Sequence, residues 1–139
     1  MNPLVLPKNG TIRFNEYDPF AYGKSFYVMT MEDHELEVLL QNPESDCVER
    51  KASAADTRDI RHDICAFAND LPNHQRPGVI FIGVDDRGNC TNISVTDQLL
   101  TTLASMRSDG NITPFPTMIV EKRTIGGCEL ALIIVEPAD

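Results

Sequence analysis

Gly78-Val79-Ile80-Phe81-Ile82-Gly83-Val84-Asp85-Asp86-Arg87-Gly88 is the stretch that decides the fold. Its first seven residues are a nearly unbroken apolar run of strand length, which fits a central strand covered on both faces. Asp85 to Gly88 has turn chemistry, since aspartate and glycine supply the Asx and left-handed geometries of a tight reversal. Asn89 to Ser94 are expected to return antiparallel to the run. Gly78 and Gly83 have phosphate-loop spacing, but no Lys-Ser or Lys-Thr follows, so they read as points of close backbone packing. That argues against P-loop ATP hydrolysis, and no ATP site is evident.

Downstream, Thr96 caps a helix with Leu99, Leu100, Leu103 and Met106 facing inward, which should end near Asp109-Gly110. Pro114 and Pro116 forbid regular structure. Thr117 to Ile125 and Cys128 to Glu136, joined by Gly126-Gly127, make a hairpin with a strongly apolar second strand. Upstream, Leu71 to Pro77 reads as a polar loop projecting into solvent. Before it, Asp56 or Thr57 caps a helix whose apolar stripe is Ile60, Ile64, Phe67 and Ala68. The opposite face holds Arg58, Asp59, Arg61, His62 and Asp63. Its acids read as a solvated surface, and Arg58, Arg61 and His62 are phosphate contacts only if that face borders the segment before it.

That segment, Glu44-Ser45-Asp46-Cys47-Val48-Glu49-Arg50-Lys51, is where chemistry is expected. If Val48 to Ser53 is a strand, its period of two puts Glu49 and Lys51 on one face and Val48 and Arg50 on the other. A bend at Ser45-Asp46 would bring Glu44 to Glu49. Taken alone, the octapeptide is most simply an exposed ion pair on an edge strand, worth little. If that strand neighbours the one ending at Val84, however, Glu44, Glu49, an aspartate of the Asp85-Asp86 turn and Lys51 converge. Such a set can hold Mg²⁺ or Mn²⁺ for phosphodiester cleavage.

Thr30 reads as the cap of a helix reaching Gln41, with Leu36, Leu39 and Leu40 on one face and Asn42-Pro43 as its stop. Ser25 to Thr30 could be a short strand. Residues 1–24 combine Pro3, Pro7 and Pro19 with Phe14, Tyr17, Phe20 and Tyr22, an extended leader expected to pack on the domain's own sheet or on a partner. The division is therefore a leader and helix start at 1–34 and a domain at 35–139. The expected fold class is α+β: a mixed, largely antiparallel sheet with helices packed on one face.

At 139 residues and 42% hydrophobic, the chain suits one such domain. No apolar run is long enough to cross a bilayer and the N-terminus does not fit a signal peptide, so no membrane role is expected and the default location is cytoplasmic. Four cysteines without a C-x-x-C pair argue against a zinc knuckle, and Cys65 and Cys128 read as reduced apolar fillers. The net charge of −9 disfavours unselective binding to a polyanion. Residues 1–48 carry eight acidic and three basic side chains, and the longer remainder thirteen and nine, so a local basic patch is best accommodated there.

Glu44-Ser-x-x-Val48-Glu49-x-Lys51, Ile64-Cys-Ala66-Phe67-Ala68-Asn69, Ile82-Gly83-Val84-Asp85-Asp86-x-Gly88 and Ile133-Ile134-Val135-Glu136-Pro137 together resemble the Schlafen AlbA-type domain. The resemblance implies a DNA- or RNA-binding domain of a transcriptional regulator or helicase-like protein, here the first part of a longer chain. Nucleases of that family use a carboxylate triad that falls on Glu44, Glu49 and Asp86 by motif matching, which implies a metal-binding endoribonuclease site. Lys51 would stabilise developing charge there. Phosphate contacts are expected from Arg50, Lys51, Arg58, Arg61, Arg76 and Arg87. A nucleic-acid-binding module, a metal-dependent nuclease and a protein-interaction or homodimerising scaffold built on the leader are the three functions in contention. The sequence departs from the family pattern at three places. Arg50 stands for an aromatic, Asn92 for a glycine, and Pro77-Gly78, after an insertion from about Asp70 to Arg76, stands where the family has a Gly-Gly pair.

Overall fold

The computed structural model describes residues 12–13, 31–42, 45–70, 72–108 and 116–137. Glu44, Thr30, the strand expected at Ser25 to Thr30, the aromatic residues of the leader, Asp109-Gly110 and Pro114 lie outside the described residues. Within them run β1 (Ile12–Arg13), α1 (Asp33–Leu40), β2 (Val48–Lys51), α2 (Thr57–Asn69), β3 (Gly78–Ile82), α3 (Asp97–Ser105), β4 (Thr117–Ile125) and β5 (Cys128–Glu136). The strands form one sheet in the order β1-β4-β5-β3-β2. β2 and β3 are parallel and the other pairings antiparallel, so the α+β class expected from the sequence is what the chain adopts. Two residues of the leader thus add an antiparallel edge to β4.

β3 is buried at every position because it lies between β2 and β5 and is covered by helices. Gly78 opens it for a steric reason: a Cβ there would lie 2.1 Å from Cγ of Phe67, so the α2 ring packs directly on β3 backbone. Ile60 and Ile64 of α2 are fully buried beside it, and Asp56 caps the helix by accepting from the Asp59 N–H at 3.0 Å. The β4–β5 turn is Gly126-Gly127, both at positive φ, as a two-residue hairpin requires.

Three expectations change. Asn89 to Ser94 form no strand, only a Val84–Cys90 bridge and a Thr91 N–H to Gly83 carbonyl bond of 2.9 Å. Both edges of β3 are already taken, by β2 and β5, which leaves no ladder for a returning strand. Cys128 is not a reduced filler: its Sγ is bonded to that of Cys90, tying residues 38 apart. Cys65 remains a free thiol. The loop before β3 is largely exposed, as expected, and is braced from within: the Asp70 carboxylate accepts from the N–H groups of His74 at 2.9 Å and Gln75 at 2.7 Å. These bonds hold the Asp70 carboxyl below its usual range. Finally, α1 starts at Asp33, where Glu32 is the cap and its N–H donates to the Glu35 carboxylate at 3.2 Å.

Residue parity adds a detail to the layering. Lys51 reaches α2, whereas Arg50 reaches α1, so the two helices contact side chains of opposite parity on β2. α1 is held at both ends by arginines. Arg123 of β4 donates to the Met31 carbonyl at 2.7 Å and pairs with Asp33, while Arg50 donates to the Leu40 carbonyl at the helix C-terminus.

Candidate functional site

The site begins with the β2–α2–β3 crossover. The parallel register sets Glu49 beside Ile80 and Lys51 beside Ile82, so the charged pair stands next to the end of β3, where the Asp85-Asp86 turn begins. Glu49 is exposed; Val48, Arg50 and Lys51 are partly covered.

On the α2 side, Lys51 is only 15% exposed and its ammonium lies between two carboxylates, Asp59 and Asp63, the latter at 2.8 Å. Burial works against that charge, but hydrogen bonds and Coulomb attraction from both acids outweigh it and raise the Lys51 pKa. Burial likewise dominates at Asp63, raising its pKa despite the attraction of Lys51. Glu49 is raised too, first by burial, then by the charge of Asp63, with smaller pushes from Asp59 and Asp86 that Lys51 only partly offsets. Glu49, Asp59, Asp63, Asp86 and Lys51 therefore form one electrostatic unit. Asp59 and Asp63 are the residues that sequence reading assigned to a solvated surface. Their signal was spacing: they sit four apart beside Ile60 and Ile64, at the boundary of the apolar stripe rather than opposite it.

On the turn side, the two aspartates divide the work. Asp85 accepts from the N–H groups of Arg87 at 2.9 Å and Asn89 at 2.8 Å, which holds its carboxyl below the usual range and fixes the turn. Asp86 is exposed, and its carbonyl accepts from Arg50 at 3.3 Å. Arg50 thereby links α1, β2 and the turn. Asn92 adopts φ +57°, the conformation that glycine supplies at this place in the family pattern.

Asn42, Ser45, Asp46, Glu49, Arg50 and Asp86 surround a cleft of about 350 Å³. The structure thus brings Glu49, Asp86 and Lys51 into one region, with Glu44 outside the described residues. Among the described residues, no three His, Cys, Asp or Glu side chains are grouped closely enough to hold a metal ion. Arg50 and Lys51 are both engaged inside the protein, and Arg61 also has a partner. Arg58, Arg76 and Arg87 are exposed, as is His62. His74 of the inserted loop lies 3.5 Å from Asp46, so the insertion reaches the cleft wall.

These features define an α+β domain with a Glu-x-Lys edge strand set parallel to a central strand that ends in an Asp-Asp turn. The family model described as Schlafen, AlbA_2 matches residues 44–139, and the chain belongs to that family. No curated protein and no solved structure matches significantly. No helix among the described residues is long and apolar enough to cross a membrane.

Proposed function

We propose that this domain engages the phosphodiester backbone of nucleic acid at the Glu49–Asp86 cleft through a divalent cation, Mg²⁺ or Mn²⁺, and cleaves it there. The observation that carries this is the convergence of Glu49 and Asp86, from different elements, on one cleft, where the Glu49 carboxyl is raised first by burial and then by neighbouring negative charge. Family membership supports nucleic acid as the ligand class.

A hard cation fits the donor chemistry. The cleft is lined by the carboxylates of Glu49, Asp86 and Asp46, which are not grouped closely enough to hold an ion by themselves, so Glu44 is needed as well; positive charge there would offset the burial and the neighbouring negative charge that raise Glu49. Glu49 and Asp86 would hold the ion, with Glu44 as the expected third ligand. When bound, the ion supplies Lewis-acid activation of a phosphoryl oxygen. The chain's own groups do the rest. Arg50 fixes the Asp86 turn against β2, Asp59 and Asp63 hold Lys51 in place, and the Lys51 charge acts on the site from within that ion triad. Arg58, Arg76 and Arg87 are the exposed cations left to steer phosphates. A pure binding module is the second reading. It is favoured by those exposed arginines, while a net charge of −9 and the internal commitment of Arg50 and Lys51 weigh against it.

The test incubates the chain with labelled tRNA and with single- and double-stranded DNA, in Mn²⁺, Mg²⁺ or EDTA, beside Glu49→Ala. Metal-dependent cleavage that Glu49→Ala abolishes is expected. Retardation without cleavage would select the binding module, and neither cleavage nor retardation would reject nucleic acid as the ligand.

A further inference from the structure

A second, larger cleft of about 670 Å³ opens on the other side of Arg50 and Asp86, within the roughly 300–1,000 Å³ range of small-molecule sites. Arg50 and Asp86 are the wall that the two clefts share. Its apolar lining comes from Leu40, Val84, Ile125 and the disulfide-bonded Cys90 and Cys128, residues distant in sequence. Its polar lining includes Glu37, Gln41 and Arg87, whose side-chain polar groups make no hydrogen bond or ion pair among the described residues. Nε of Arg50 is sealed from solvent and also lacks a partner there.

Charge in this cleft is balanced, with Glu37 and Asp86 against Arg50 and Arg87, so it is not built for an anion. Nor is it an oily groove, since uncommitted donors and acceptors flank the apolar lining. A planar ligand with apolar faces and hydrogen-bonding edges matches both features, and the phosphate cleft is adjacent. We propose that this cleft receives one unpaired nucleobase of the strand whose phosphate lies at Glu49 and Asp86. Leu40 and Ile125 would contact the ring faces, and Glu37, Gln41 and Arg87 would meet its edges. The inference rests on the proposed nucleic-acid function and narrows its substrate to single-stranded or extruded nucleotides. A paired base has its hydrogen-bonding edge occupied and cannot enter.

Fluorescence anisotropy with the full chain in Ca²⁺ tests this, using labelled single-stranded RNA hexamers in which each position in turn is abasic, and a duplex of the same sequence. One abasic position is expected to weaken binding several-fold, at the low end of the roughly fivefold to hundredfold range for a base stacked on an aromatic ring, because Leu40 and Ile125 are aliphatic. The duplex should bind more weakly than the intact hexamer. The doubly substituted Gln41→Ala, Arg87→Ala chain alters only exposed side chains, so it should fold normally, and it should reduce the difference between intact and abasic hexamers. If every abasic hexamer binds as tightly as the intact one, the base site is wrong while nucleic-acid binding stands. If no hexamer or duplex binds, the proposed function fails and the base site with it.

Discussion

β3 and β2 lie side by side in parallel register, yet they are opposites. β3 is buried at every position and interrupted by no charge; β2 reads Val-Glu-Arg-Lys and has no fully buried residue. The central strand is held by what surrounds it from both sides. The edge strand is held by long-range polar bonds, with Lys51 to α2 and Arg50 to α1 and the turn. Burial is concentrated in one strand and charge in its neighbour, one strand spacing away.

Substitutions can break that contrast. The largest effect is expected at the centre, where Ile80→Ala should cost about 2–5 kcal/mol in urea unfolding and Val48→Ala on β2 much less. Comparable losses at the two positions would mean that β2 carries core energy after all. Next comes the staple beside the site. Reducing Cys90–Cys128, or replacing Cys90 by Ser, should lower stability by about 2–4 kcal/mol, and reductant should leave the Cys90→Ser chain unchanged. An unfolding midpoint that ignores reductant in the wild-type chain would mean that Cys90 and Cys128 are not bonded.

Lys51→Met should cost roughly 1–2 kcal/mol, less than a fully buried pair because Asp59 is 49% exposed. Adding Asp63→Asn should recover part of that loss, as a double-mutant cycle would show. The smallest effect has the opposite sign. Glu49 and Asp63 have raised pKa values, so just above the ordinary carboxylate range the folded state keeps protons that the unfolded chain has lost. Their contribution to stability therefore falls as pH rises through that window. Glu49→Gln should flatten this part of the pH profile and gain roughly 0.5 kcal/mol at neutral pH, a surface-sized effect. Asp70, Asp85 and Glu129, whose carboxylate accepts from the Val95 N–H at 3.1 Å, behave conversely: their lowered values mean stability present above the ordinary range and lost as pH falls through the folded ones.

What could be read from the sequence follows the same contrast. β3, the β4–β5 hairpin and the apolar stripe of α2 announce themselves because burial imposes a pattern on consecutive residues. The parity of Glu49 and Lys51 was legible for the same local reason. The partners of Lys51 were not, since Asp59 and Asp63 meet it only after a crossover, and a charged helix flank looks alike whether it faces water or a lysine. The missing return strand at Asn89 to Ser94 has a topological cause: turn chemistry was visible, but that β5 would occupy the second edge of β3 depends on a strand that begins only at Cys128. Cys90 and Cys128 likewise carried no spacing signal, because their approach is set by the tertiary fold.

β2 ends the sheet order, so its outer backbone groups have no strand beside them among the described residues. An open, flat, apolar edge would be a template on which another chain could add a strand. Four residues with three charges in succession make a poor template, because any added strand would have to bury or match them. Glu49, Arg50 and Lys51 thereby make this edge a poor place for strand addition, and neutral apolar replacements at Glu49 and Lys51 would remove that protection together with the proposed site.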